Sequence, residues 1–285
     1  MNKFSEADLI LNDDGSIYHL SLKPHNVAKN IIVVGDPGRV YRVSQHFDDI
    51  LFEMNKREFI THTGIYKKKS VTVMSTGMGV DNIEIAMFEL DALFNIDLKK
   101  RIPKAEQQSL NIVRIGTSGA IQEDIKVGSV VLSDYGVGLD NLMQYYKLES
   151  SEFELEIGQH LQKALNMPFA PYVVKGSEKL KEKLGQGMIA GNTVTAPGFY
   201  APQGRQLRIP VANPKLLDQI TFFNHNGFWL TNFEMETSML YGLARMLGHE
   251  ALSINAILGN RSHKTFTKNP YETIDSIIVK VLDRL

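Results

Sequence analysis

Two stretches of the chain join glycine-bordered backbone to an arginine, a combination suited to holding an anion. Gly35-Asp36-Pro37-Gly38-Arg39 offers amide donors from a tight turn and a guanidinium with several fixed donors, which suits the oxygens of a phosphate dianion. Arg114-Ile115-Gly116-Thr117-Ser118-Gly119 repeats the combination and adds two hydroxyls. Neither spacing is that of a Walker loop or a Rossmann fingerprint. On the residues alone, the first stretch also reads as an ordinary strand-exit turn. In the second, Thr117 and Ser118 equally suit a helix cap, with Arg114 pairing to a surface acid. If both stretches end neighbouring strands of one open sheet, Arg39 and Arg114 face one ligand.

Three other stretches carry recognition chemistry. Phe199-Tyr200-Ala201-Pro202-Gln203-Gly204-Arg205 sets an aromatic face, a carboxamide and a guanidinium in one loop. A planar heterocycle would stack on Phe199 while Gln203 and Arg205 read its donor and acceptor edges. Core packing of Phe199 among solvated polar neighbours is the competing reading. Asn232-Phe233-Glu234-Met235-Glu236 precedes a helical pattern; Glu236 suits a sugar diol and Met235 a sugar ring, although an acidic helix start with a core methionine accounts for the same residues. Gly259-Asn260-Arg261-Ser262-His263-Lys264 is a polar loop that either closes a pocket or is simply solvated.

Composition removes several classes of chemistry. The 285 residues include no cysteine, so disulfide scaffolds, thiolate catalysis and thiolate metal sites are excluded. Eight scattered histidines without an HExxH pair define no metal site, and no metal is expected. No GxSxG elbow points to a hydrolytic triad. Lys and Arg number 31 against 32 Asp and Glu, a formal charge of -1, so neither nucleic acid nor membrane is an expected partner. The opening MNKFSEADLILNDDGSIYHL lacks the apolar core of a secretory signal, which gives a cytoplasmic expectation.

The elements that must position these residues follow an α/β rhythm. Short apolar or β-branched runs predict strands at 30–34, 70–74, 110–115, 127–133, 188–195, 228–231 and 251–258, the first and third leading directly into the two arginine stretches. Apolar residues at helical spacing predict helices at 82–95, 151–165, 236–247 and from 274 to the last residue, with a further one introduced by Asn213-Pro214. The polar 99–108 segment reads as an exposed connection and 196–210 as an irregular loop. With no repeat and no long linker, one domain spanning residues 1–285 is expected.

The ordered set GDPGRV, VRIGTSGAI, FYAPQGR and NFEMETSML strongly resembles the nucleoside phosphorylases of the uridine and purine family, and within it the uridine phosphorylases, from about Tyr18 through Arg261 and beyond. The resemblance implies a single α/β domain with a central mixed, partly barrel-like sheet flanked by helices. It also implies phosphorolysis, in which a nucleoside and inorganic phosphate give a free base and a pentose 1-phosphate, with phosphate as co-substrate and no cofactor. Gly35, Arg39, Arg114 and Thr117 correspond to phosphate-binding positions, and Arg57 to an arginine supplied to phosphate by the neighbouring subunit. His19 corresponds to the neighbouring-subunit histidine near the sugar 5′-hydroxyl, and Met235 and Glu236, with Glu234 nearby, to the ribose contacts. Phe199, Gln203, Arg205 and Arg261 correspond to base-binding positions, and the Gln203 and Arg205 pair favours uracil. A homodimer is then the minimal active unit, alone or within a hexamer. Gly198, Ala201 and the tract Arg205-Gln206-Leu207-Arg208-Ile209-Pro210 depart from the family pattern, which leaves deoxyribose and thymine open. A purine nucleoside phosphorylase and a non-catalytic nucleoside-binding protein are the alternatives.

Overall fold

Asn30-Ile31-Ile32-Val33-Val34 is short and mostly β-branched, and it forms the buried strand β1 (Asn30–Val34) in a computed structural model that describes residues 3–285. The chain makes two compact units, one running through Val113 and including Leu243–Glu250, the other made of Arg114–Gly242 and Ala251–Leu285. In the first unit, β1 leads into α1 (Pro37–Ser44). Asp36 caps this helix, its Oδ1 accepting from the Gly38 N–H at 2.9 Å, and Pro37 sits at the first helical position. Arg39 therefore lies in a helical turn rather than in the strand-end loop expected from sequence.

A meander of β2 (Asp49–Lys56), β3 (Phe59–Tyr66) and β4 (Lys69–Ser75) completes this unit's sheet in the order β1-β4-β3-β2, with β1 and β4 parallel and the remaining pairs antiparallel. The helix α2 (Val80–Asn95) follows, burying Ile83, Met87, Leu90 and Leu93 on one face, as their spacing predicts. The 99–108 connection holds half of a small hairpin of β5 (Ile96–Asp97) and β6 (Ile102–Pro103).

The second unit contains most of β7 (Asn111–Ala120), then β8 (Val130–Gly138), α3 (Glu152–Leu165), β9 (Tyr172–Lys175), α4 (Glu178–Leu184) and β10 (Ile189–Thr195). It continues through α5 (Leu216–Thr221), β11 (Asn224–His225), β12 (Phe228–Trp229), β13 (Asn232–Glu234) and the start of α6 (Thr237–Leu247). After these come β14 (Glu250–Asn260), β15 (Thr265–Phe266) and α7 (Pro270–Arg284), whose Ile274, Ile277, Ile278, Val281 and Leu282 are buried as predicted. Strands β14, β8, β10, β13 and β7 close on one another, because β7 also pairs with β14; β9 and β15 add to β8 and β14. The mixed, partly barrel-like architecture expected from sequence is the one observed.

Three sequence readings shift. Strand β7 does not stop at Ile115 but continues through Gly116-Thr117-Ser118-Gly119, because Gly119 and Ala120 pair with Phe233 and Asn232. Thr117 and Ser118 therefore cap no helix. Strand β8 lies later than 127–133 and runs through glycines that look like a turn. A Cβ on Gly136 would stand 2.7 Å from Ser238 Cα, and one on Gly138 2.1 Å from the Tyr172 ring, so close packing requires both. Of the strand expected over 228–231, only the first two residues form one, β12, and the chain leaves it at 230–231 before β13 begins.

A belt of buried polar side chains follows the strand ring. Asn255 on β14 donates to Ser133 on β8 at 3.0 Å, and Ser133 bonds Thr193 on β10 at 2.6 Å. Thr193 donates to Asn232 on β13 at 3.0 Å, and Asn232 donates to Ser118 on β7 at 2.6 Å. The Arg114 guanidinium on β7 returns to Asn255 Oδ1 at 2.9 Å. Each member satisfies its neighbour in a buried setting, where an unmade hydrogen bond is costly.

Candidate functional site

Arg114 sits at the closing point of that belt, 4% exposed. Its Nη2 donates to Glu236 Oε2, and its Nη1 lies 3.3 Å from Glu234 Oε2. Burial works against the Arg114 charge, but the Glu236 and Glu234 carboxylates outweigh it and hold the guanidinium pKa above its ordinary value. Glu234 is fixed in turn: its Oε1 accepts from Thr195 Oγ1 at 2.6 Å, and its Oε2 accepts from the Glu236 and Thr237 N–H groups at 2.9 Å each. It thereby satisfies backbone donors at the start of α6, where a negative charge is favoured. Burial pushes the Glu234 carboxyl up, with Arg114 pulling it back. Behind it, Thr195 Oγ1 accepts from the Ser238 N–H at 2.9 Å, and Ser238 Oγ donates to Tyr172, whose hydroxyl reaches Asp140 at 2.7 Å.

The acids that pair with Arg114 are thus buried rather than at the surface. Met235 is half-buried between the two glutamates, and Thr117 half-buried between Gly116 and Ser118 on β7. Of the sequence-predicted ribose residues, Glu234, Met235 and Glu236 come together with Arg114 in one nest. A guanidinium countered by carboxylates at van der Waals range offers a site where an entering oxyanion and a diol would compete for the same donors and acceptors.

The 196–210 segment leaves β10 directly after Thr195 and makes one short 3-10 turn at Ala201–Gln203. Gly204 holds the left-handed φ of 67° that lets the chain double back. Arg205 then returns over its own loop. Its guanidinium lies 3.9 Å from the centre of the Phe199 ring and donates to Phe199 O and Gln203 Oε1 at 2.6 Å each. Arg261 donates to Gln203 O at 3.0 Å. All four sequence-predicted base residues are therefore gathered, with Gln203 buried at 4% and Phe199 exposed at 51%. The Phe199 face carries Arg205. Partial burial and the nearby Arg261 push the Arg205 pKa down to about 10, and burial lowers that of Arg261.

The remaining predicted residues belong to the first unit. Gly35 leaves β1 with room for no more than a tight approach, since a Cβ there would meet Gly77 O at 3.3 Å. Arg39 is buried. Arg57 is exposed in the β2–β3 turn with φ of 53°, its guanidinium 5.9 Å from the Tyr18 ring centre. His19 is held by Glu89: the His19 N–H lies 3.0 Å from both carboxylate oxygens, the Leu20 N–H donates to Oε2 at 2.8 Å, and Nδ1 is 2.6 Å from Oε1.

The phosphorylase superfamily pattern matches residues 29–282, through both units and every motif above except the one around His19. The chain belongs to the phosphorylase superfamily. A uridine phosphorylase of Thermococcus kodakarensis is 30% identical over 273 residues, covering 94% of this chain and 86% of its own length. A DeoD-type purine nucleoside phosphorylase of Colwellia psychrerythraea is 27% identical over 237 residues, covering 83% of this chain and 84% of its own. Among solved structures, a Trypanosoma brucei nucleoside phosphorylase described as showing uridine phosphorylase activity superposes with a TM-score of 0.88 at 29% identity, covering 98% of this chain and all of that one. This phosphorylase is an enzyme of the nucleoside phosphorylase type, a pentosyltransferase.

Sequence reasoning about this phosphorylase overlooked the residues that hold Arg114 and Glu234: Thr195, Ser253, Asn255 and Thr237. Their signal was present. Ser253 and Asn255 alternate with apolar residues on β14, as Thr193 and Thr195 do on β10, and polar residues at period two inside an otherwise buried strand mark a polar interior. No helix among the described residues is long and apolar enough to cross a membrane.

Proposed function

We propose that this phosphorylase cleaves uridine with inorganic phosphate to give uracil and ribose 1-phosphate, needing no cofactor and working in the cytoplasm. The observation that carries the pyrimidine reading is the gathered loop in which Arg205 bonds the Gln203 carboxamide while Arg261 grips the Gln203 backbone. A fixed carboxamide beside a guanidinium presents a donor and acceptor edge of the size of a pyrimidine imide. The identity to the Thermococcus uridine phosphorylase supports the same choice; the relatives named purine nucleoside phosphorylases make inosine the necessary control.

In this reading Gly35, Arg39, Arg114 and Thr117 serve phosphate, Glu236 orients the 2′ and 3′ hydroxyls, and Met235 packs on the sugar. Glu234 holds the Glu236 backbone. As the glycosidic bond lengthens, positive charge grows on the pentose and negative charge on uracil. Phosphate stabilises the first; Gln203, Arg205 and Arg261 stabilise the second. No covalent protein nucleophile is required. The whole chain acts as one catalytic domain, and two copies complete each other's sites through His19 and Arg57. The grip of Glu89 on two consecutive amides and the imidazole of His19 supports a presented, fixed side chain.

Uracil release from uridine, measured with and without phosphate beside thymidine and inosine, tests this. Phosphate-dependent turnover that is fastest with uridine is expected. Turnover of inosine alone would give the purine reading, and nucleoside binding without turnover the non-catalytic one.

A further inference from the structure

In the second unit, on residues that no assignment above uses, Glu156 and His160 stand one helical turn apart on α3 and meet His225 of the β11–β12 hairpin. The hairpin is rigid for a local reason. Its two-residue turn is Asn226-Gly227, with φ of 51° and 82°, the left-handed pair that a tight hairpin turn requires. Opposite His225 in register is Phe228, buried in the apolar core with Ile157 and Leu161 of α3 and packed at 5.8 Å on Phe153. The core thus pins the hairpin to the helix and sets His225 over it.

The result is a convergence of three donor groups. The His160 and His225 rings stack at 3.8 Å, His225 Nε2 lies 2.7 Å from Glu156 Oε1, and the ligand atoms of all three residues fall within 4.8 Å of one another. Asn226 Nδ2 is 3.2 Å from His225 Nε2. The cluster borders a groove of about 560 Å³ lined also by Lys163, Gln219 and Phe222.

We propose that Glu156, His160 and His225 form a binding site for a divalent transition-metal cation, Zn²⁺ being the best match. Two imidazole nitrogens and one carboxylate oxygen are the borderline donor set that Zn²⁺ accepts, and three protein ligands leave one of its four positions to water. Mg²⁺ and Ca²⁺ prefer all-oxygen shells and are excluded by the same donors. Sequence alone expects no metal; the Glu-x3-His spacing on α3 becomes a site only when the hairpin delivers the second histidine. This site lies outside the catalytic assignment and is independent of it.

Calorimetric titration of the whole protein with Zn²⁺, and separately with Mg²⁺, tests the proposal. One equivalent of Zn²⁺ should bind, without competition from Mg²⁺, and His160→Ala, His225→Ala and Glu156→Gln should each weaken binding by about tenfold or more while leaving circular dichroism and uridine turnover unchanged. Cu²⁺ electron paramagnetic resonance adds a readout that overall stability does not move: coupling to two imidazole nitrogens in the wild type, and to one in each histidine variant. Equal Zn²⁺ affinity in the wild type and in a His160→Ala/His225→Ala variant, or nitrogen coupling unchanged by either substitution, would overturn it.

Discussion

Arg114 and Arg205 are arginines of the same unit placed in opposite electrostatic settings. Arg114 is enclosed by two glutamates, two polar side chains of β14 and the strand ring, and its charge is strengthened. Arg205 lies half-buried on a loop, bonded to a backbone carbonyl and a carboxamide, with Arg261 close enough to disfavour its charge. The first arrangement is a charge balanced within a rigid strand framework. The second leaves positive charge incompletely compensated where the departing base is proposed to gather negative charge, so a ligand improves the electrostatics of the loop instead of displacing an existing ion pair. Phosphate, proposed to enter at Arg114, would by contrast compete with Glu236.

Arg114→Ala should show the contrast most strongly. It leaves Glu234 and Glu236 buried without their cation, and a loss of about 3–5 kcal/mol in urea unfolding is expected. Phosphate-dependent turnover should fall by about 10²–10³-fold. Arg205→Ala removes a less buried charge and should cost less than about 1 kcal/mol; equal losses in the two variants would erase the distinction.

Gln203→Leu should reduce the preference for uridine over inosine in kcat/KM by about 100-fold. If it slows all nucleosides alike, Gln203 is scaffold and not reader. Thr195→Val removes the hydroxyl that both donates to Glu234 and accepts from the Ser238 N–H, with an expected loss of about 1–3 kcal/mol at the urea midpoint. A neutral result there would show that the carboxylate nest keeps its shape without its rear support. The smallest effect concerns pH. The folded chain releases the Arg205 proton near 10, while the unfolded chain keeps it, so wild-type stability relative to Arg205→Leu should rise, by less than about 1 kcal/mol, as pH climbs through about 10. A flat difference would mean that burial, aided by Arg261, does not lower the Arg205 pKa in solution.

Much of the architecture was legible because burial writes a period into the chain. Strand β1 is a compact apolar run, β4 and β14 set apolar residues at alternate positions, and α2 and α7 repeat isoleucine and leucine at helical spacing. Strand β2 was not, since it is exposed along most of its length and only Phe52 and Met54 are half-buried. The far half of β7 was hidden for another reason: its partner residues lie on β13, and no local pattern records a pairing so remote. Among the candidate residues, Arg114, Glu236, Gln203 and Arg205 announced themselves by residue type and motif, whereas His19 and Arg57 were reachable only through family resemblance. The supporting role of Glu234 depends on where its two oxygens point, which only three dimensions give.

The polar belt around the strand ring bears on how the chain comes to fold. Ser118 meets Asn232, and Ser133 meets Asn255, across more than a hundred intervening residues. Contacts of that span form late, because the entropy of closing so long a loop must be met before any bond rewards it. Arg114 binds Asn255 at the seam where β7 and β14 join, so its carboxylate nest cannot precede the last strand pairing. During refolding, recovery of phosphate-dependent turnover should therefore lag behind recovery of helical circular dichroism, and activity becomes a clock for closure of the ring.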